Sequence, residues 1–164
     1  MLDSKENEKM KKLICILLGL VLLLGITGCQ GETVNMDMPT VYADICKTVQ
    51  VPQMLELNES LMLDYCGIKA ADVKQAVVVI CADSLRTDEI WLLEATDADA
   101  ASRLMSLAEK RLKKKGEESI TYSPEQYKVV EKAQLIQAGN CIALLVSPDA
   151  EAMAQVFNQA AGKN

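Results

Sequence analysis

The chain has 164 residues, 17 basic and 23 acidic side chains, a formal net charge of −6 and no histidine. An acidic surface of this kind repels nucleic acid, and the missing imidazole excludes serine-histidine and cysteine-histidine catalysis and disfavours a zinc or copper site. One domain is the expectation from length, with a core large enough to need no metal or cofactor as a staple.

The N-terminal twelve residues, MLDSKENEKMKK, carry Lys5, Lys9, Lys11 and Lys12 ahead of the apolar run Leu13 to Cys29. The apolar part, Leu13 to Thr27, measures about 22 Å as a helix, short of the roughly 30 Å of a bilayer core, and so reads as the hydrophobic region of a signal peptide rather than a permanent span. Its end, Ile26-Thr27-Gly28-Cys29, resembles the lipobox of bacterial lipoproteins. That resemblance implies a diacylglycerol on the Cys29 sulfur, cleavage before Cys29, and a lipid-anchored protein on the extracytoplasmic face of the cell membrane. An uncleaved anchor with an incidental cysteine is the alternative. Two acyl chains suffice for stable anchoring. The domain plan is then a signal peptide over 1–28, a lipid-anchored tether over 29–39 and one globular domain over 40–164.

Cys46, Cys66, Cys81 and Cys141 remain after Cys15 and Cys29 are set aside. Four buried thiols is one reading, and one or two disulfides the other, since export permits them and four cysteines allow three full pairings.

Thr40 is the expected N-cap of a first helix, with Tyr42, Ile45, Cys46 and Val49 on one face and Pro52 beyond its end. A second short helix runs from Asn58 or Ser60 to Cys66, stopped by Gly67, with Leu61, Met62, Tyr65 and Cys66 as its apolar face. Gln75 to Ala82 and Glu89 to Ala95 read as a strand pair around the polar loop DSLRTD. A helix from Asp97 to Lys115 follows, apolar at Ala101, Leu104, Met105, Ala108 and Leu112, with Thr96 and Asp99 as a capping box and Gly116 as its stop. Ser123, Pro124 and Gln126 repeat the capping pattern before a short helix to Lys132. Ala133 to Ala138 and Cys141 to Ser147 form a second hairpin turned by Gly139-Asn140. A last helix after Pro148 carries Met153, Val156, Phe157 and Ala160.

Shifted by 52 positions, Leu92 to Met105 matches Leu144 to Phe157 at five of fourteen residues. Two hairpin-then-helix units would explain this, as would convergence on one strand-cap-helix grammar. The expected fold is α+β: a four-stranded, mostly antiparallel sheet with a helix from each unit on one face. Its strands alternate between two apolar faces, with Trp91 and Leu93 opposite Ile90 and Leu92. The two N-terminal helices, or another copy of the protein, are expected to cover the second face.

Two clusters are candidates for chemistry. Asp83, Asp88 and Glu89 at the mouth of the first hairpin could act as acid and base in a small hydrolase, or simply solvate a loop. Lys110, Arg111, Lys113, Lys114 and Lys115 could meet an anionic lipid surface or polymer, or simply complement a helix dipole. No cofactor or metal is expected. Over roughly residues 41–160, Tyr65 with Gly67-Ile68, the run Asp88-Glu89-Ile90, Tyr122 and Tyr127 around Ser123-Pro124, and Gly139 resemble an uncharacterised domain-of-unknown-function family of small lipoproteins from Gram-positive anaerobes. The resemblance implies fold and location and carries no activity. The sequence expectation is a non-catalytic binding or accessory domain of the cell envelope, partnered by the membrane and by another envelope protein or an anionic polymer.

Overall fold

The structure is a computed structural model and describes residues 34–163; the expected signal peptide and Cys29 lie outside the described residues. The described chain is α+β, with five helices and an open, wholly antiparallel sheet of five strands. Strands β1 (Met54–Glu56), β2 (Val73–Cys81), β3 (Glu89–Ala95), β4 (Gln134–Ala138) and β5 (Cys141–Val146) stand in the order β1-β2-β3-β5-β4. The four strands expected from sequence are present. The fifth, β1, extends the β2 edge through Met54 opposite Cys81 and Glu56 opposite Val79.

Helix α1 (Met38–Thr48) begins earlier than expected, because Asp37 is its N-cap and accepts the Thr40 N–H at 3.0 Å. Thr40 is inside the helix, not at its cap. Met36 and Met38 are buried in the core and Val34 packs on it, so the expected tether loses its last residues to the domain. The buried stripe of α1 is Met38, Val41 and Ile45, which leaves Cys46 exposed.

Helix α2 (Glu59–Leu61) is capped by Asn58 and widens into a π-helical turn over Met62–Cys66. It ends as expected at Gly67, whose φ of 72° is the left-handed conformation that closes a helix. Tyr65, expected on the apolar face, is exposed. Helix α3 (Ala98–Tyr122) starts at the N-cap Asp97 and runs through Gly116 for 25 residues, about 37 Å. Gly116 does not stop it. Helix α4 (Pro124–Glu131) packs there instead, placing Tyr127 and Val130 at van der Waals distance from the Gly116 α-carbon face. Helix α5 (Ala150–Ala160) closes the described chain.

Alternation holds as expected. Ile90, Leu92 and Leu145 project to one face, and Trp91, Leu93, Ile142, Leu144 and Val146 to the other. The covers are arranged differently. Helices α1 and α5 seal the Ile90 face, whereas the α2 segment, α3 and α4 seal the Trp91 face. The two helices of the echoed units therefore lie on opposite faces of the sheet. The physical reason is in the register: Leu92 and Leu144, equivalent in the echo, point to opposite faces. Neighbouring antiparallel strands related by a two-fold rotation keep equivalent side chains on one face. Each echoed strand nonetheless turns its equivalent leucine away from the face that its following helix covers, so the two strand-then-helix segments share one local geometry.

The second hairpin turns at Gly139, which has φ 57°, while Asn140 keeps a negative φ; one residue, not both, adopts the positive angle. All four downstream thiols are free. Cys66 and Cys141 are buried, Cys81 half-buried and Cys46 exposed. Burial pushes the Cys66 thiol up to about 12 and the Cys141 thiol up to about 11, so both stay protonated and inert at neutral pH. No helix among the described residues is long and apolar enough to cross a membrane.

Candidate functional site

The strand register gives the domain two distinct ends. At one end Val34 reaches β5, where the Cys141 thiol lies 3.7 Å from its carbonyl oxygen, and Gln75 ties the chain start to β2 through Met36 and Met38. At the other end the β2-β3 loop, Ala82 to Asp88, meets the C-terminal turns of α3 and the start of α4. Ser84, Leu85, Arg86, Thr87, Lys115, Glu118, Ser119, Tyr122, Ser123 and Gln126 line a groove of about 370 Å³ there.

Under this groove sits the most deeply buried carboxylate of the described residues. Glu89, the first residue of β3, is fully buried. Its Oε1 accepts the Trp91 indole N–H at 2.7 Å and the Arg111 Nε–H at 2.9 Å. Its Oε2 accepts Arg111 Nη2 and Lys115 Nζ, both at 2.8 Å. Burial works to raise the Glu89 carboxyl, yet the hydrogen bond from Arg111 and the charges of Lys115 and Arg111 outweigh it and hold it below the usual carboxylate range. Glu89 is ionised, saturated with donors and out of contact with solvent.

The basic run thus divides by geometry. At about 100° per residue Arg111 and Lys115 fall on the inward side of α3, while Lys110, Lys113 and Lys114 share the outward side. Lys113 and Lys114 stand 3.8 Å from Glu117 and Glu118, pairs whose weak geometry and exposure give them little energy. The five residues do not form one cationic patch.

The three candidate carboxylates are likewise separated by their partners. Asp83 accepts the Leu85 N–H within the loop, Asp88 is gripped by the Arg86 guanidinium at 2.9 and 3.0 Å, and Glu89 lies in the cluster just described. None of them lines the groove. Among the described residues no group of three histidine, cysteine, aspartate or glutamate side chains is placed to hold a metal ion.

What sequence reasoning missed is the frame of the groove and its rim. Gln126, expected to reach back to the Ser123 N–H in a capping box, instead crosses to the loop, where its Oε1 accepts the Thr87 N–H at 2.9 Å and hydroxyl at 3.0 Å. Lys115 Nζ donates to the Thr87 carbonyl at 3.0 Å. Loop, α3 and α4 are thereby locked together, and the rim residues Leu85 and Tyr122 stand 82% and 86% exposed. Leu85 was legible as the lone apolar residue of DSLRTD; Tyr122 was legible only once α3 is known to pass Gly116.

The described residues form a small α+β domain, an open antiparallel sheet sealed on both faces with a groove at one end whose lining includes Arg86, Lys115 and Glu118. The chain belongs to the family described as Domain of unknown function (DUF4358), which matches residues 47–147. That span takes in the whole sheet together with the α2 segment, α3 and α4, and leaves out α5 and nearly all of α1. Comparison with curated proteins gives no match, and comparison with solved structures gives none.

Proposed function

We propose that this chain is a lipid-anchored protein of the extracytoplasmic membrane face whose domain binds another envelope protein and performs no catalysis. The observation that carries the binding role is the pair Leu85 and Tyr122, almost fully in solvent on the rim of one groove whose loop is tied to α3 and α4 by three hydrogen bonds at Thr87. Single exposed apolar side chains are common, but two converging on one concavity are what a protein partner uses as anchors. Preorganisation lowers the ordering cost of association. The anchor rests on the resemblance of Ile26-Thr27-Gly28-Cys29 to a lipobox. Four residues separate Cys29 from Val34, so the covalent tether, five Cα–Cα steps, reaches at most about 18 Å. Within the domain, Val34 lies at the end of the sheet opposite the groove.

The hydrolase alternative draws no support from Asp83, Asp88 and Glu89, each of which is occupied by a structural partner. The test has two readouts in the same cells. Intact mass of the processed protein should show a lipid-sized addition on a chain starting at Cys29, lost in Cys29→Ala. A photo-crosslinking amino acid at Tyr122 should yield a discrete protein adduct that disappears in Leu85→Ser. An unlipidated full-length product would overturn the anchor, and absence of a Leu85-dependent adduct would overturn the binding role.

A further inference from the structure

A second concavity, of about 420 Å³, lies on the Trp91 side between the α2 segment and the first half of α3. Helix α3 contributes Ser102, Arg103, Ser106 and Lys110, at spacings that keep them within one strip of the helix surface. The opposite wall is the turn after Gly67. Fully buried Ile68 anchors that turn, and it delivers Lys69 to the groove. Asp72, at the end of the following 3₁₀ turn, accepts Arg103 Nη2 at 2.6 Å, which fixes the guanidinium while leaving its other N–H groups unspent. The hydrogen bond and charge of Arg103 hold the Asp72 carboxyl below its ordinary range, and Asp97 and Asp99 act on Arg103 from the preceding turn. Arg103 is therefore the compensated cation of the three. Neither Lys69 nor Lys110 has a carboxylate within ion-pair distance among the described residues. On a chain of net charge −6, a groove lined by three cations, two serine hydroxyls and one engaged carboxylate is an inversion of the local field.

We infer that this groove binds a phosphodiester anion. The cations and hydroxyl donors match phosphate oxygens, with Arg103 oriented by Asp72 and the two lysines adding charge that is not tied up in an ion pair. The volume exceeds what an inorganic ion needs and accommodates the groups flanking a phosphodiester. A lipid headgroup and a soluble phosphodiester polymer share this chemistry. The inference is independent of the protein-binding groove at the far end of the sheet.

The experiment is lysine footprinting on the full chain. Acylation rates of Lys69 and Lys110 are read by mass spectrometry against those of Lys113 and Lys114 as internal references. The protein is held in uncharged detergent with soluble glycerophosphoglycerol, and separately in phosphatidylcholine vesicles with and without phosphatidylglycerol. Selective protection of Lys69 and Lys110 by the soluble diester supports the site and assigns it to a soluble ligand. Protection only with phosphatidylglycerol supports it and assigns it to the membrane. Protection of Lys110 should weaken about fivefold in Lys69→Gln, and that of Lys69 about fivefold in Lys110→Gln, two side chains that carry no structural ion pair. Equal protection of all four lysines, or of none, overturns the inference.

Discussion

The two faces of the sheet are both fully apolar in pattern, yet they are closed by different physics. The Ile90 face has a dry centre: α1 and α5 cover it with Met38, Val41, Ile45, Met153 and Phe157, and Glu94, on the same side of β3, meets Gln75 and Lys74 only at the end of the strand. The Trp91 face carries an equally apolar layer under α3 and then, at the groove end, admits Glu89 with Arg111 and Lys115. Apolar contact is non-directional and tolerates small slides of a helix over a sheet. A buried carboxylate with four side-chain N–H contacts tolerates none, because a displaced partner leaves an uncompensated charge. The long helix is thus fixed in register at the end where it frames the groove, whereas α1 and α5 only have to fit.

Replacing one residue in each face gives the largest effects and the sharpest contrast. Phe157→Ala in the dry layer should cost about 3–5 kcal/mol in urea unfolding, with a difference from wild type that does not vary between neutral and acid pH. Glu89→Gln should cost a similar amount, about 3–5 kcal/mol, at neutral pH, because Arg111 and Lys115 keep buried charge without a counterion. Its pH dependence should differ. The Glu89 carboxyl is depressed below its ordinary value of 4.5, so its stabilisation is complete above that pH and is lost as pH falls through the folded-state value. The gap between wild type and Glu89→Gln should close below about pH 4.5; a constant gap would break the distinction drawn between the faces.

Smaller effects test the Trp91 side through its two helix glycines. Gly67 has φ 72°, and an added Cβ would come within 3.3 Å of the Leu107 side chain. Gly67→Ala should therefore cost about 1–2 kcal/mol, measured as a fall in the denaturation midpoint at unchanged slope. Gly116 lies inside α3, and a Cβ there meets Tyr127 and Val130 at an ordinary 3.9 Å. Gly116→Ala should raise stability by about 0.5–1 kcal/mol through helix propensity alone. A loss instead would mean that α3 and α4 are packed more tightly than these distances describe.

Much of this was legible in the sequence because burial on two faces writes an alternating, uninterrupted apolar pattern. The four longer strands, the stop at Gly67 and the hairpin at Gly139 followed from it. Three features were not legible, each for a physical reason. β1 has three residues, too few for any periodicity, and exists because the β2 edge receives it. Which face a helix covers depends on its connection to the strand and not on its own stripe, so α3 and α5 were expected together and lie apart. The charge cluster was partly readable: Arg111 and Lys115 continue the spacing of Leu104 and Ala108, so they fall on the stripe that faces the sheet. A basic run drew attention to its sum of charge, when the informative quantity was the direction of each member around the helix. The bonds from Gln126 and Lys115 to Thr87 span 39 and 28 positions, a separation over which local capping grammar carries no information.

The extent of the family match has a practical consequence for anyone cutting the gene. A fragment limited to residues 47–147 would retain every strand and lose both lids of the dry layer. Val77, Val79, Ile90, Leu92, Ala143 and Leu145 would then face water as one continuous slab, the kind of surface that self-associates and takes up hydrophobic dyes. Expression limits placed at Val34 and Lys163 keep that slab closed, and dye binding by the shorter fragment but not the longer one is the expected outcome.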